Sequence, residues 1–118
     1  MDKINIAEKF DSFTEYWSPR IVAEVNGQHV RAAKLQGEFI WHKHEREDEL
    51  FLVVKGEMKL HFRDKTVNLG PGEMIVVPRG VEHKPEAAEE AHVLLFEPAA
   101  TVNTGNIHSE RTVAPVTI

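Results

Sequence analysis

The 118-residue chain contains no cysteine. That excludes a disulfide framework, a thiol nucleophile and thiolate metal ligation. Long hydrophobic runs are also missing. The longest purely apolar stretch is Leu50-Phe51-Leu52-Val53-Val54, and a membrane-spanning helix needs about 20 such residues. The opening residues, Met1-Asp2-Lys3-Ile4-Asn5, carry no apolar signal region, and no Asn-x-Ser/Thr sequon occurs. The expectation is a cytoplasmic protein with no membrane partner. Basic clusters are absent too: 14 Lys and Arg face 19 Asp and Glu, for a net charge of −5. Such a chain lacks the phosphate-neutralising term that nucleic-acid binding draws on, so no nucleic-acid partner is expected.

What is present describes one soluble globular domain over residues 1–118, with 42% hydrophobic and 28% charged residues. Area scaling for 13.4 kDa gives about 6,500 Å² folded against about 19,000 Å² unfolded. Burial of roughly two-thirds of the surface supplies a core without staples. Residues 5–13 place Ile6, Phe10 and Phe13 on one face of a short helix, with Asn5 as its N-cap. Asn26-Gly27 is a strong hairpin signal, because both central positions of that turn take φ > 0. It joins a strand at Ile21–Val25 to a return strand at Gln28–Leu35.

From Gln36 to Pro98 the pattern is short β runs cut by glycine, proline and charge pairs. The runs are 39–44, 49–55, 57–63, 66–69, 74–78, 81–85 and 91–97, with Glu89-Glu90 read as the last cut. Many short strands and no intervening helical pattern mean an all-β sandwich or barrel. Residues 99–118 read as a wrapping arm or a partly disordered tail. Two runs, Phe51–Val54 and Val93–Phe96, are apolar on both faces, so their second face needs a cover. The candidates are the N-terminal segment, the C-terminal arm or a second subunit. A homodimer is expected from this pattern and from Trp41, which alternates outward from His42.

Seven histidines are present. His42 and His44 stand at i, i+2, one face of a strand. Glu49 follows after a short connection, and His83 ends a later strand. Three imidazoles and one carboxylate form a mixed nitrogen and oxygen donor set for one divalent transition metal per chain.

Glycines frame these residues: Gly37-x4-His42-x-His44-x4-Glu49-x6-Gly56, then fifteen residues, then Gly72-x5-Pro78-x-Gly80-x2-His83. The pattern resembles the two signature motifs of the cupin superfamily. The resemblance covers residues 37–87, with two departures. The gap after Gly37 is one residue short, and Ala87 stands where the second motif usually has Asn. It implies a jelly-roll barrel (a double-stranded β-helix) with a metal inside one end. It also implies His42, His44, Glu49 and His83 as ligands. Mn, Fe, Ni and Zn are the metals expected.

The superfamily spans isomerases, epimerases, lyases, dioxygenases and sugar-binding proteins, so the fold does not select a function. The first expectation is an enzyme acting on a small oxygenated molecule (a sugar, keto acid or hydroxy acid) through Lewis-acid chemistry. An Fe(II) dioxygenase and a non-catalytic small-molecule binder are the alternatives. His92, in phase with Leu94 and Phe96, is read as a core histidine or as a catalytic group lining the pocket. Arg79 reads as a turn residue able to meet an anionic substrate, and His29, His61 and His108 as surface residues.

Overall fold

A computed structural model describes residues 1–118. Its accessible surface is 6802 Å², close to the value that size alone sets. A helix, α1 (Ile6–Asp11), precedes eight strands. These are β1 (Arg20–Val25), β2 (Gln28–Glu38), β3 (Glu49–Lys55), β4 (Met58–His61), β5 (Thr66–Leu69), β6 (Met74–Val77), β7 (Lys84–Pro98) and β8 (Val116–Thr117). The Asn5 side chain caps α1 by accepting from the Glu8 N–H at 3.0 Å. The Asn26-Gly27 hairpin forms as the sequence predicts, with φ of 51° and 77°.

The strands make one sheet in the order β5-β4-β7-β2-β1-β8, and β3 pairs with both β7 and β6. β7 organises it. One edge pairs antiparallel with β2 from Gln28–Pro98 to Glu38–Glu86. The other edge is divided: its C-terminal half takes β3 and its N-terminal half takes β4. The fold is all-β with the expected short N-terminal helix, but the jelly-roll barrel expected from the sequence is met as an open β-sandwich: the ladder does not close into a ring, and β5, β6 and β8 are free edges.

Two local expectations differ from the structure. Glu89-Glu90 is not a break. β7 runs through it, and a register shift between Leu35 and Gly37 absorbs the mismatch. Glu89 faces water, and Glu90 meets the Tyr16 hydroxyl and the His92 ring at the surface. Residues 39–44, expected as a strand, pair only at an isolated His42–His83 bridge. The segment does run antiparallel to residues 80–85, with Phe39 N–H to Pro85 O at 2.9 Å and Gly80 N–H to His44 O at 2.8 Å. Pro85 has no N–H to return, so no continuous ladder develops.

The inward face carries the core: Leu35, Phe51, Val53, Met58, Leu60 and Val93 among others. The outer face of β2 and β7 is covered by α1, where Phe10 and Phe13 pack with Val22 and Ala32, and Leu94 and Ile118 join them. The cover ends there. Leu50 sits between Val76 and Phe96, and Leu52 between Met74 and Leu94, forming two apolar rows across β6, β3 and β7. Met74, Val76 and Phe96 are 58%, 50% and 39% exposed.

The C-terminal arm wraps the molecule. β8 pairs parallel with β1, and residues 103–106 press on the 39–48 loop. Asn106 N–H donates to Lys43 O, and Lys43 N–H donates to Asn106 Oδ1, both at 2.9 Å. Gly105, at φ 56°, lies directly against the Lys43 carbonyl, where no Cβ fits. Gly105→Ala is therefore expected to destabilise the protein by about 1–3 kcal/mol and to free the arm. Thermal unfolding and limited proteolysis beyond residue 99 check this, and a variant as stable and protease-resistant as the parent contradicts it.

Candidate metal centre and its cavity

His42 and His83 reach the site from the two segments joined by their reciprocal backbone hydrogen bonds, at 3.0 and 2.9 Å. Glu49 opens β3, in phase with the inward Phe51 and Val53. His44 enters from the loop before it. All four side chains are buried, and one donor atom from each lies within 4.8 Å of the others. The structure thus brings together the four ligands the sequence nominated.

The donors are prepared for a cation. His42 Nδ1 and His83 Nδ1 each lie 2.9 Å from a backbone carbonyl, of Ile40 and Val81. A carbonyl only accepts, so both Nδ1 atoms carry the proton and both Nε2 lone pairs point inward. His83 Nε2, His44 Nε2 and Glu49 Oε1 are buried with no hydrogen-bond partner. Orphaned buried polar atoms are costly, and three converging on one point need a common partner. Glu49 Oε1 stands 3.3 Å from His44 Nε2 and 3.4 Å from His83 Nε2. Donors about 2.1 Å from one cation lie about 3.0–3.4 Å apart at adjacent positions. The donor set fits a divalent metal.

Burial, helped by the neighbouring His83, lowers the His42 pKa from 6.5 to about 4 and keeps it neutral. Burial pushes Glu49 upward, but the Glu97 carboxyl and the nearby imidazoles of His44 and His83 outweigh it and hold the carboxyl well below its usual range.

Glu97 is the residue that sequence reasoning missed. It is buried and lines the cavity beside Glu49. Arg31, fully buried, donates to Glu97 Oε1 at 3.0 Å. Arg31 also donates to the carbonyls of Thr101 (2.8 Å) and Ala99 (2.9 Å). Glu97 Oε2 has no N–H partner and neighbours the Glu49 carboxyl, and a proton shared between the acids closes that contact. Burial and the Glu49 charge push the Glu97 carboxyl well above its usual range. The signal was in the period-2 pattern: Glu97 is in phase with Val93 and Leu95, and Arg31 with Ala33 and Leu35.

The cavity opens to solvent. Its walls are Trp17, Leu35, Phe39, Phe51, Val93 and Leu95, and its polar groups are His42, Glu49, Glu97 and Asn103. His92 is not brought there. It faces the opposite side of β7, stacked on Phe10 at 4.6 Å and 11°, with Nε2 2.7 Å from Glu90 Oε2. The core reading of His92 is the one its surroundings match, because its phase with Leu94 and Phe96 is the outward one. Trp41 faces outward beneath the Arg63 guanidinium, 3.9 Å from the ring centre. Arg79 is tied to Asp48 outside the cavity.

The cupin-domain family model matches residues 25–97. The chain is a cupin. It is 46% identical to a cupin-2 domain protein of Shewanella frigidimarina, with a TM-score of 0.80 over 80% of this chain and 93% of that one. Protein NMB1881 of Neisseria meningitidis is 32% identical, with a TM-score of 0.76 over 82% and 99% of the two chains. An uncharacterized Bacillus subtilis protein, YdbB, is 41% identical over 64 residues, which span 53% of this cupin and 57% of that protein.

Two predictions follow from the site. In this cupin without metal, the unfolded chain binds a proton at His42 near pH 6.5 and the folded chain near 4. The stability from neutral, buried His42 is complete above about pH 6.5 and is lost as pH falls toward 4, by about 3 kcal/mol at most. Urea midpoints of the metal-free protein across this range read it, and a flat profile contradicts it. His92→Gln is expected to leave metal uptake unchanged and to cost about 1–3 kcal/mol of stability through the Phe10 stack and the Glu90 contact. Loss of metal from that variant would show the ligand shell to be misplaced.

Proposed function

We propose that this cupin is a metal-dependent enzyme acting on a small oxygenated molecule. The observation that carries the reading is the set of orphaned donors at His44, Glu49 and His83 opening, through His42 and Glu49, onto a cavity. His42, His44, Glu49 and His83 would hold one divalent metal of the Mn, Fe, Ni or Zn group. When bound, that metal supplies a Lewis acid that polarises a substrate carbonyl or hydroxyl oxygen.

The chain's own residues supply the rest. The carbonyls of Ile40 and Val81 fix the tautomers of His42 and His83, so the donors need no rearrangement. Arg31 anchors Glu97 beside Glu49, which places a proton-carrying carboxyl at the cavity wall. Glu97, rather than His92, is thus the candidate for moving a proton during isomerisation, epimerisation or elimination. The apolar walls exclude water from the reacting centre. An Fe(II)-dependent oxygenase shares every one of these features, and a cytoplasmic setting suits both.

Elemental analysis and oxygen uptake divide the two. The Lewis-acid reading expects stoichiometric metal with no substrate-dependent oxygen consumption, and oxygen uptake coupled to turnover replaces it with the oxygenase. Glu49→Gln removes the one anionic ligand and is expected to weaken metal binding at least tenfold, measured by metal titration. The joint variant His42→Ala, His44→Ala should retain none, and stoichiometric metal there would overturn the site.

We also propose a homodimer through the uncovered half of the outer sheet face. The rows Val76-Leu50-Phe96 and Met74-Leu52 present an apolar patch that begins where the α1 cluster ends, at Leu94. Val76→Glu with Phe96→Glu is expected to yield a folded monomer by sedimentation. A parent protein that is monomeric at high micromolar concentration contradicts the proposal.

A further inference from the structure

The cavity beside the metal centre has an unusual polar inventory. Four polar side chains line it, and most of their hydrogen-bonding capacity is already committed. Glu97 Oε1 is taken by Arg31, and its Oε2 faces the Glu49 carboxyl. Asn103 is engaged on both sides: its Nδ2 donates to Arg111 O at 2.8 Å, and its Oδ1 accepts from Val113 N–H at 3.1 Å. His42 and Glu49 belong to the metal set. The Trp17 indole N–H is directed away, to Gln36 O at 2.9 Å.

The apolar wall, by contrast, is built and fixed. Trp17 stacks on Phe39 with centroids 4.8 Å apart and planes at 17°. Its backbone holds φ at 57°, a conformation that costs energy for a non-glycine residue. The Trp17 N–H bond to Lys34 O at 2.9 Å and the indole bond to Gln36 O lock it there. The ring is positioned before any ligand arrives, so a ligand pays little to order it.

From this we infer that the cavity takes a compact, largely apolar ring compound presenting one oxygen to the metal end, and not a polyhydroxylated sugar. This deepens the metal-enzyme reading and rests on it only for where the oxygen points. A sugar entering the cavity leaves most of its hydroxyls without partners, and each stranded hydroxyl weakens binding about tenfold. A phenol-like molecule strands none. Its ring meets Phe39, Leu35, Phe51 and Val93, and its single hydroxyl lies toward His42 and Glu49.

The test is calorimetric titration of zinc-loaded and metal-free protein with phenol and with xylose, a polyol of similar size. Phenol is expected to bind one to one, at least tenfold tighter than xylose, and to keep binding the metal-free protein within tenfold. Ala33→Leu fills the cavity and should weaken phenol at least tenfold with zinc stoichiometry unchanged. Val93→Ile, which adds a single methyl group, should weaken it by a smaller factor and serves if Ala33→Leu does not fold. Xylose binding as tightly as phenol, or phenol binding unaffected by the cavity-filling variant that folds, overturns the inference. Zinc stoichiometry is read separately. Failure to bind zinc removes the metal assignment, while the phenol and xylose comparison on the same protein still decides the ligand class.

Discussion

Glu49 is an acid buried to 4% exposure, and the site is organised around compensating it. An isolated carboxylate in an apolar interior would cost several kcal/mol and would take up a proton instead. Here Glu97 shares a proton with it, and Arg31 neutralises the remaining charge through Glu97 at 3.0 Å. Two acids with one proton and one guanidinium sum to neutrality. That balance leaves Glu49 Oε1 free of any N–H donor, and it is this oxygen that lies within 3.4 Å of both His44 and His83.

The same balance explains how one inward surface can be both core and site. On β2, β3 and β7 the inward positions change character along the strand. At one end Leu35, Val53 and Ala91 pack with Met58 and Leu60. At the other stand Arg31, Glu49 and Glu97. Antiparallel register makes this coherent: Arg31 pairs Leu95 and His29 pairs Glu97, so the polar ends of β2 and β7 coincide. Glu49 begins the strand that borders β7 on its other edge. Polar residues are gathered where three strands end together. The apolar remainder of each strand is left to supply burial, at about 25 cal/mol per Å².

Much of this was legible in the sequence, and the parts that were not have physical causes. Residue chemistry and spacing nominated His42, His44, Glu49 and His83, because ligand types and turn glycines are written into individual positions. The helix at α1 and the hairpin at Asn26-Gly27 were equally local. Glu97 and Arg31 were readable only by strand phase, and a buried ion pair reads in one dimension as two surface charges. His92 illustrates the reverse. Its phase with Leu94 and Phe96 was seen, but which phase faces the cavity depends on the sheet's packing, and α1 settles that by covering the other side. The 39–44 segment looked like a strand because its partner's lack of an N–H lies far along the chain, at Pro85 opposite Phe39.

The C-terminal arm shows how far the site's organisation extends. Its first residues are held by Arg31, through the carbonyls of Ala99 and Thr101. Its middle is held by the loop that carries His42 and His44, through the paired bonds between Asn106 and Lys43. Its last strand lies on β1. The guanidinium that balances Glu97 therefore also fixes the point from which the arm departs, and the arm in turn braces the loop that carries His42 and His44. A segment with almost no regular secondary structure cannot hold itself in place against its own conformational entropy. It is ordered here because its backbone carbonyls are acceptors for a charge that must be satisfied in the interior. Buried electrostatics at one end of the sheet thus order the chain's final twenty residues and the His42–His44 loop together. The absence of a side chain at Gly105, which lets the arm approach the Lys43 carbonyl, is the geometric condition for that closure.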